Sequence, residues 1–194
     1  NANSELTQET IGTLHAVQKL GHKVAIVTGR PYRSSKEIYN QLNLGGPIVN
    51  FNGALCHIPS KPEWDGRYHI TLDTELVLDL VAFNKTLPVD YLMVEGTELM
   101  YSNITELPDC PYYPKDQKPL LIHPTTKLKE KPTAVALFSD LELQSEIKKK
   151  ILHRYNNGIE VRTWGGSYPC LEVITSGIHK AKAVEHLSRY YDIH

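Results

Sequence analysis

Residues 23–52 read Lys-Val-Ala-Ile-Val-Thr-Gly-Arg-Pro-Tyr-Arg-Ser-Ser-Lys-Glu-Ile-Tyr-Asn-Gln-Leu-Asn-Leu-Gly-Gly-Pro-Ile-Val-Asn-Phe-Asn. The run Val24, Ala25, Ile26, Val27 is continuously apolar and largely β-branched, as suits a strand buried on both faces of a parallel sheet. It ends on the hydroxyl of Thr28. Gly29 lets the backbone turn and Pro31 fixes φ. Ser34 or Ser35 is then placed to cap a helix whose apolar side carries Ile38 and Leu42, with Gly45 and Gly46 to stop it. A second apolar strand over residues 47–51 makes the unit strand, helix, strand, with a right-handed crossover expected. In open α/β sheets ligands bind beyond the strand carboxyl ends, where helix N-termini offer N–H donors to anions. Thr28, Gly29, Arg30 and Asn52 all fall there.

Working outward, 194 residues suffice for one large domain or two small ones, and 41% hydrophobic content supports a proper core. The net charge of −1, with both signs well mixed, leaves no electrostatic footprint for nucleic acid or an anionic membrane, and neither is expected as a partner. Cys56, Cys110 and Cys170 are odd in number and far apart, with neither zinc spacing nor a disulfide framework, so a reducing cytoplasm is the expected location. No apolar run reaches membrane-spanning length and no secretion signal opens the chain.

Before the central unit, Thr7 is placed to cap a helix with Ile11, Leu14, Val17 and Leu20 at helical spacing, closed by Gly21 and expected to cover one face of the sheet. Such a helix normally follows another strand, and residues 1–6 are too polar and short to be one, so the pattern implies a strand preceding residue 1. Beyond Asn52 and Gly53 the pattern changes. Residues 54–58 and 67–72 read as a hairpin, Asp73 or Thr74 caps a helix with Leu76, Val77, Leu80 and Val81, and strands follow at 89–94 and 99–102. Residues 103–132, rich in Pro, Lys and Asp, read as loop with one short helix. A strand at 133–138, a helix through Arg154, strands at 159–163 and 171–174, and a helix from Lys180 with Ala183, Leu187 and Tyr190 complete the chain. The fold class expected is α/β: part of a doubly wound, Rossmann-like parallel-sheet core at 1–71 and 171–194, with an inserted α+β cap at 72–170.

Three segments together carry a resemblance: Val-Ala-Ile-Val-Thr-Gly-Arg-Pro at 24–31, Asn-Gly-Ala at 52–54, and Leu-Glu-Val-Ile-Thr-Ser-Gly-Ile-His-Lys-Ala-Lys-Ala-Val at 171–184. Across almost its whole length the chain resembles the haloacid dehalogenase-like superfamily, in particular its Cof-type phosphatases with an inserted α/β cap. The resemblance implies a phosphatase of small phosphorylated metabolites such as sugar phosphates, dependent on Mg²⁺. It makes Thr28 the hydroxyl donor and Lys180 the cation of catalysis, meeting at one anion site, with Gly29, Arg30, Asn52 and Gly53 around the phosphate. Two departures stand out. The family's Asp-x-Asp strand, which supplies nucleophile and acid, would precede Asn1, and its Gly-Asp-x-x-x-Asp metal site would follow His194. The chain resembles such an enzyme with both ends cut away. It therefore holds no expected metal ligand and is expected to be inactive alone.

The chemistry agrees independently. Phosphoryl transfer asks a protein to position the group and neutralise its oxygens, which a hydroxyl, backbone N–H groups and an ammonium can do. Each residue also has an ordinary reading. Thr-Gly-Arg is common loop chemistry, Asn52 tolerates a left-handed turn, and Arg30 and Arg33 can be surface charges. Lys180 can be a solvated lysine, although a helix N-terminus disfavours cations. The nine histidines show no metal spacing and are read as structural or solvent-facing, and Tyr112, Tyr113 and Trp164 as cap core. A noncatalytic binding fragment and a phosphomutase on the same fold stay open as alternatives. The substrate and the oligomeric state are not legible.

Overall fold

The structure, a computed structural model, describes residues 6–109, 117–155, 157–164 and 168–193. In chain order the elements are α1 (Gln8–Lys19), β1 (Ile26–Val27), α2 (Tyr32–Leu42), β2 (Ile48–Asn50), β3 (Leu55–His57), β4 (Tyr68–His69), α3 (Thr74–Phe83), β5 (Tyr91–Glu95) and β6 (Met100–Ser102). They continue with β7 (Leu120–Leu121), β8 (Ala134–Phe138), α4 (Gln144–Arg154), β9 (Ile159–Trp164), β10 (Cys170–Thr175) and α5 (Lys180–Tyr190). The chain divides into two compact units, residues 1–69 with 179–194, and residues 70–178.

In the first unit the sheet order is β1-β2-β3-β4, with β1 parallel to β2 and the rest antiparallel. Strand alternation sends Ile26 and Ile48 to one face, against Tyr32 and Tyr39 of α2. Val27, Val49 and Cys56 go to the other, against Ala183 and Leu187 of α5. The sheet is thus covered on both faces, most completely at β2, whose three residues are all buried, while β1 is half-buried. Ile48 and Val49 are fully buried, each contributing about 1.5–3 kcal/mol by area removed from water. The apolar run at 24–27 is longer than the strand it forms, since regular pairing covers only Ile26 and Val27.

Four local expectations differ. Ser34 and Ser35 do not cap α2, whose N-cap is Pro31. The Ser35 hydroxyl instead lies within the first turn, donating to the carbonyls of Pro31 and Tyr32. The helix stops at Asn43, whose φ of 46° and ψ of 40° are left-handed, ahead of the glycines. α1 has its Thr7 cap, but none of its residues is fully buried and Leu20 is 79% exposed. It is tied to the end of α2 by His15 at Leu42 O and Gln18 at Leu44 O, with Ile11, Leu14 and Val17 half-buried. Arg33 is buried, not a surface charge.

The second unit carries a six-stranded sheet in the order β7-β6-β5-β8-β10-β9, antiparallel except for the β6/β7 pair. One face packs Leu92, Val94, Val135, Leu137, Leu171 and Val173 against α3 and α4. The other carries Tyr91, Met93, Ala136, Phe138 and Cys170, with Trp164 against them and the Tyr91 and Phe138 rings stacked at 4.3 Å. The helix expected within 103–132 is absent among the described residues, where β7 occurs instead. Tyr112, Tyr113 and Cys110 lie outside them.

The boundary expected at residue 171 is corrected. β10 is hydrogen-bonded along its length between β8 and β9, so residues 171–175 belong to the second unit's sheet. Glu160 accepts the Gly177 N–H at 2.6 Å and Arg162 donates to the Ile178 carbonyl at 2.5 Å, which fixes the turn leaving that sheet. The apolar spacing of β10 satisfies either sheet, so the sequence pattern alone could not choose.

Behind β2 sits a titratable group. His57 is held neutral, its pKa lowered to about 4 by burial first, then by Arg67 and His69. The folded protein therefore binds fewer protons than the unfolded chain between pH 6.5 and about 4, so stability is full above that window and falls with pH through it. Urea unfolding from neutral pH down to about pH 4.5 is expected to show a loss on the order of 2 kcal/mol that the His57→Gln variant largely lacks. Equal losses in both proteins would contradict it.

Candidate functional site

The site is built from two turns and one helix start, all in the first unit. After β1, Thr28 stays tied to β2 by its N–H on the Val49 carbonyl at 2.9 Å. Its side-chain oxygen accepts the Arg30 N–H at 3.1 Å, closing a small hydroxyl turn. Because that bond uses the oxygen as acceptor, the hydroxyl proton stays free to donate. The Gly29 N–H makes no hydrogen bond among the described residues. Thr28 and Gly29 are half-buried and Arg30 is exposed.

After β2 the backbone enters the left-handed region for three residues running: Phe51 at φ 51°, Asn52 at 55° and Gly53 at 116°. A non-glycine residue there costs about 1–2 kcal/mol, and a bulky one such as Phe51 rarely adopts it. The turn is held by bonds to the first: the Phe51 N–H donates to the Arg30 carbonyl at 3.3 Å and the Asn52 N–H to the Thr28 carbonyl at 3.1 Å. Side chains lock as well. A methyl group on Gly29 would come 2.8 Å from Asn52 Oδ1, so the Asn52 carboxamide lies directly over Gly29.

The third component is α5. A methyl group on Gly53 would come 2.8 Å from the His179 carbonyl oxygen, so the start of α5 rests against the second turn. His179 caps that helix, Nδ1 accepting the Lys182 N–H at 3.3 Å. Lys180 is its first residue and is exposed. The six residues singled out in the sequence thus occupy one edge of one unit. There a hydroxyl proton, a free N–H, a carboxamide and a helix N-terminus lie on neighbouring turns, and Arg30 and Lys180, on the same turns, are exposed. Among the described residues no carboxylate bonds to or pairs with Thr28, Arg30, Asn52 or Lys180. Such an edge favours an anion.

Two groups were missed. Buried Asn50 and half-buried His57 form a polar cluster under the first turn: Asn50 Nδ2 donates to the Arg30 carbonyl and to Ser35 Oγ, both at 2.9 Å, and His57 Nε2 lies 3.2 Å from Asn50 Oδ1. The signal available was a polar residue inside an apolar strand, which must find partners if buried.

Among the described residues no three histidine, cysteine, aspartate or glutamate side chains converge. The residues that form this edge include no carboxylate and so do not fit a Mg²⁺ ion, which asks for an oxygen-rich set including carboxylates. Cys56, behind the sheet, has its thiol pushed up to about 12 by burial and is no nucleophile. No helix among the described residues is long and apolar enough to cross a membrane.

Gly53→Ala is expected to be the most damaging small substitution at the site. It sets a side chain at φ 116° and 2.8 Å from a backbone oxygen, for a loss of about 2–4 kcal/mol in urea unfolding. Gly29→Ala, which meets only the movable end of Asn52, is expected to cost less than half as much. Equal losses would show that the second turn does not rest on α5.

A family model described as haloacid dehalogenase-like hydrolase matches residues 1–194. The chain is 32% identical over 185 residues to 5-amino-6-(5-phospho-D-ribitylamino)uracil phosphatase YitU of Bacillus subtilis (strain 168), covering 93% of this chain and 68% of that protein. Among solved structures it is similar to a haloacid dehalogenase-like hydrolase from Bacteroides thetaiotaomicron, with a TM-score of 0.77 at 17% identity over 100% of this chain and 73% of that one. It is similar also to the subclass IIB sugar phosphatase BT4131, with a TM-score of 0.68 at 18% identity over 98% of this chain and 70% of that one. These structural likenesses concern the fold alone.

Proposed function

Because the chain belongs to the haloacid dehalogenase-like hydrolase family, we propose that it is the phosphate-recognising part of a phosphatase acting on small phosphorylated metabolites such as sugar phosphates. The observation that carries this reading is the edge where Thr28, with its hydroxyl proton uncommitted, lies beside Asn52 and the start of α5. In the proposed complex the Thr28 hydroxyl and the Gly29 N–H donate to non-bridging phosphate oxygens, and Lys180 neutralises the charge that grows on them in the transition state. The relative from Bacillus subtilis is named for a substrate whose phosphate sits on a ribityl chain, which fits a polyol or sugar phosphate here.

Magnesium dependence belongs to the same proposal. The residues of this edge, which include no carboxylate, do not by themselves form the ion's site. The hydrolytic step needs a carboxylate nucleophile that takes the phosphoryl group and an acid that protonates the leaving oxygen. The sequence contains no Asp-x-Asp pair, so residues 1–194 by themselves are proposed to bind phosphate without turning over its esters. A cytoplasmic setting goes with such a substrate.

The test is twofold. Inorganic phosphate binding to this chain by calorimetry is expected to weaken at least tenfold in Thr28→Val and Lys180→Ala, as loss of one charge-assisted bond each implies. In a sugar-phosphate panel the chain is expected to release no phosphate. Binding indifferent to both substitutions would overturn the site, and turnover by the chain alone would overturn the missing-nucleophile argument.

A further inference from the structure

We infer that Asn50 is a positioning residue for the phosphate site, acting through the carbonyl of Arg30; this rests on the proposed function of the Thr28 turn. A turn that receives an anion must show it donors and turn its carbonyl oxygens away, because each carbonyl carries a partial negative charge. Two carbonyls flank Gly29. That of Thr28 is drawn back by the Asn52 N–H at 3.1 Å. That of Arg30 takes the Phe51 N–H at a long 3.3 Å and Asn50 Nδ2 at 2.9 Å, so the shorter of its two bonds comes from a side chain.

The geometry leaves Asn50 little freedom to do otherwise. It is the last residue of β2 and fully buried. The Arg30 carbonyl can only accept, which fixes the facing atom of Asn50 as its amide nitrogen. The second amide hydrogen goes to Ser35 Oγ in the first turn of α2, and that hydroxyl itself donates to the Pro31 and Tyr32 carbonyls. The remaining oxygen must accept, so His57 carries its proton on Nε2. The His57 ring is in turn braced edge-on against Tyr32 at 4.8 Å. One carboxamide therefore joins α2, β3 and the Thr28 turn, each bond made in the one sense its partner allows. Without it the Arg30 carbonyl keeps only the weaker bond and can rotate outward, toward the space where the phosphate sits. Asn50 never touches the ligand and works by keeping that oxygen away.

The experiment uses ¹⁵N-labelled chain and inorganic phosphate. Asn50→Ala is expected to move the amide resonances of residues 28–31 and 51–53 before any phosphate is added, and to weaken phosphate binding about tenfold. Asn50→Ser, too short to reach the Arg30 carbonyl, is expected to do the same and serves if the alanine variant does not fold. Leu42→Ala, which opens the core at the far end of α2, is expected to lower stability while leaving both readouts as in the wild type; this separates positioning from mere destabilisation. Asn50 variants with wild-type turn resonances, or with wild-type phosphate affinity, overturn the inference. If turn resonances move but the wild-type chain binds no phosphate, the proposed function falls, and Asn50 is then a structural residue only.

Discussion

Three consecutive left-handed residues at the end of a buried strand are held by two carbonyls of a neighbouring turn, and everything at the candidate site depends on that arrangement. Phe51, Asn52 and Gly53 reverse the chain where β2 ends, and only the last of them is a residue that does so freely. Their conformation persists because the Phe51 and Asn52 N–H groups find acceptors in Arg30 and Thr28. Those same bonds pull the carbonyls of the Thr28 turn inward. The strain of one turn and the electrostatic character of the other are two consequences of one set of contacts, as is common where a fold holds backbone in sparsely populated regions at a working site.

The sheet below supplies the rigidity that this requires. With α2 on one face and α5 on the other, neither Ile48 nor Val49 has room to shift, and the ends of β1 and β2 are fixed side by side. α5 does more than cover the sheet. Its apolar stripe of Ala183 and Leu187 sets its depth, and the contact of Gly53 with the His179 carbonyl sets its start. A lysine at the first position of a helix gains nothing from the helix dipole, so Lys180 stands where it is unfavourable for the helix, and the proposed anion site accounts for its place.

Much of this was legible in the sequence, for identifiable reasons. Ile48 and Val49 read as buried parallel strand because both faces are covered, whereas of the run at 24–27 only Ile26 and Val27 form strand, both half-buried, and Ala25 is exposed. Thr7 and Asp73 read as caps because their side chains had no better use; each accepts the N–H three residues on. What failed did so where two physical outcomes share one pattern. Ser34 and Ser35 fit an N-cap by type, but Pro31 had already fixed the entry into α2, so Ser35 turned to the carbonyls of the first turn. Leu171 to Ile174 alternates equally well in either sheet, and its assignment to the second unit follows from long-range pairing with β8 and β9. Asn50 went unremarked because its partners, at Arg30, Ser35 and His57, are assembled only by the fold.

The most direct measurement is a crystal structure of this chain grown with inorganic phosphate or tungstate. The account predicts the anion at the edge where β1 and β2 end, within hydrogen-bond distance of Thr28 Oγ1 and the Gly29 N–H, with the Lys180 ammonium beside it and the Arg30 carbonyl still turned toward Asn50. An anion bound elsewhere on the first unit with this edge left to water, or an Arg30 carbonyl facing the anion, would contradict it.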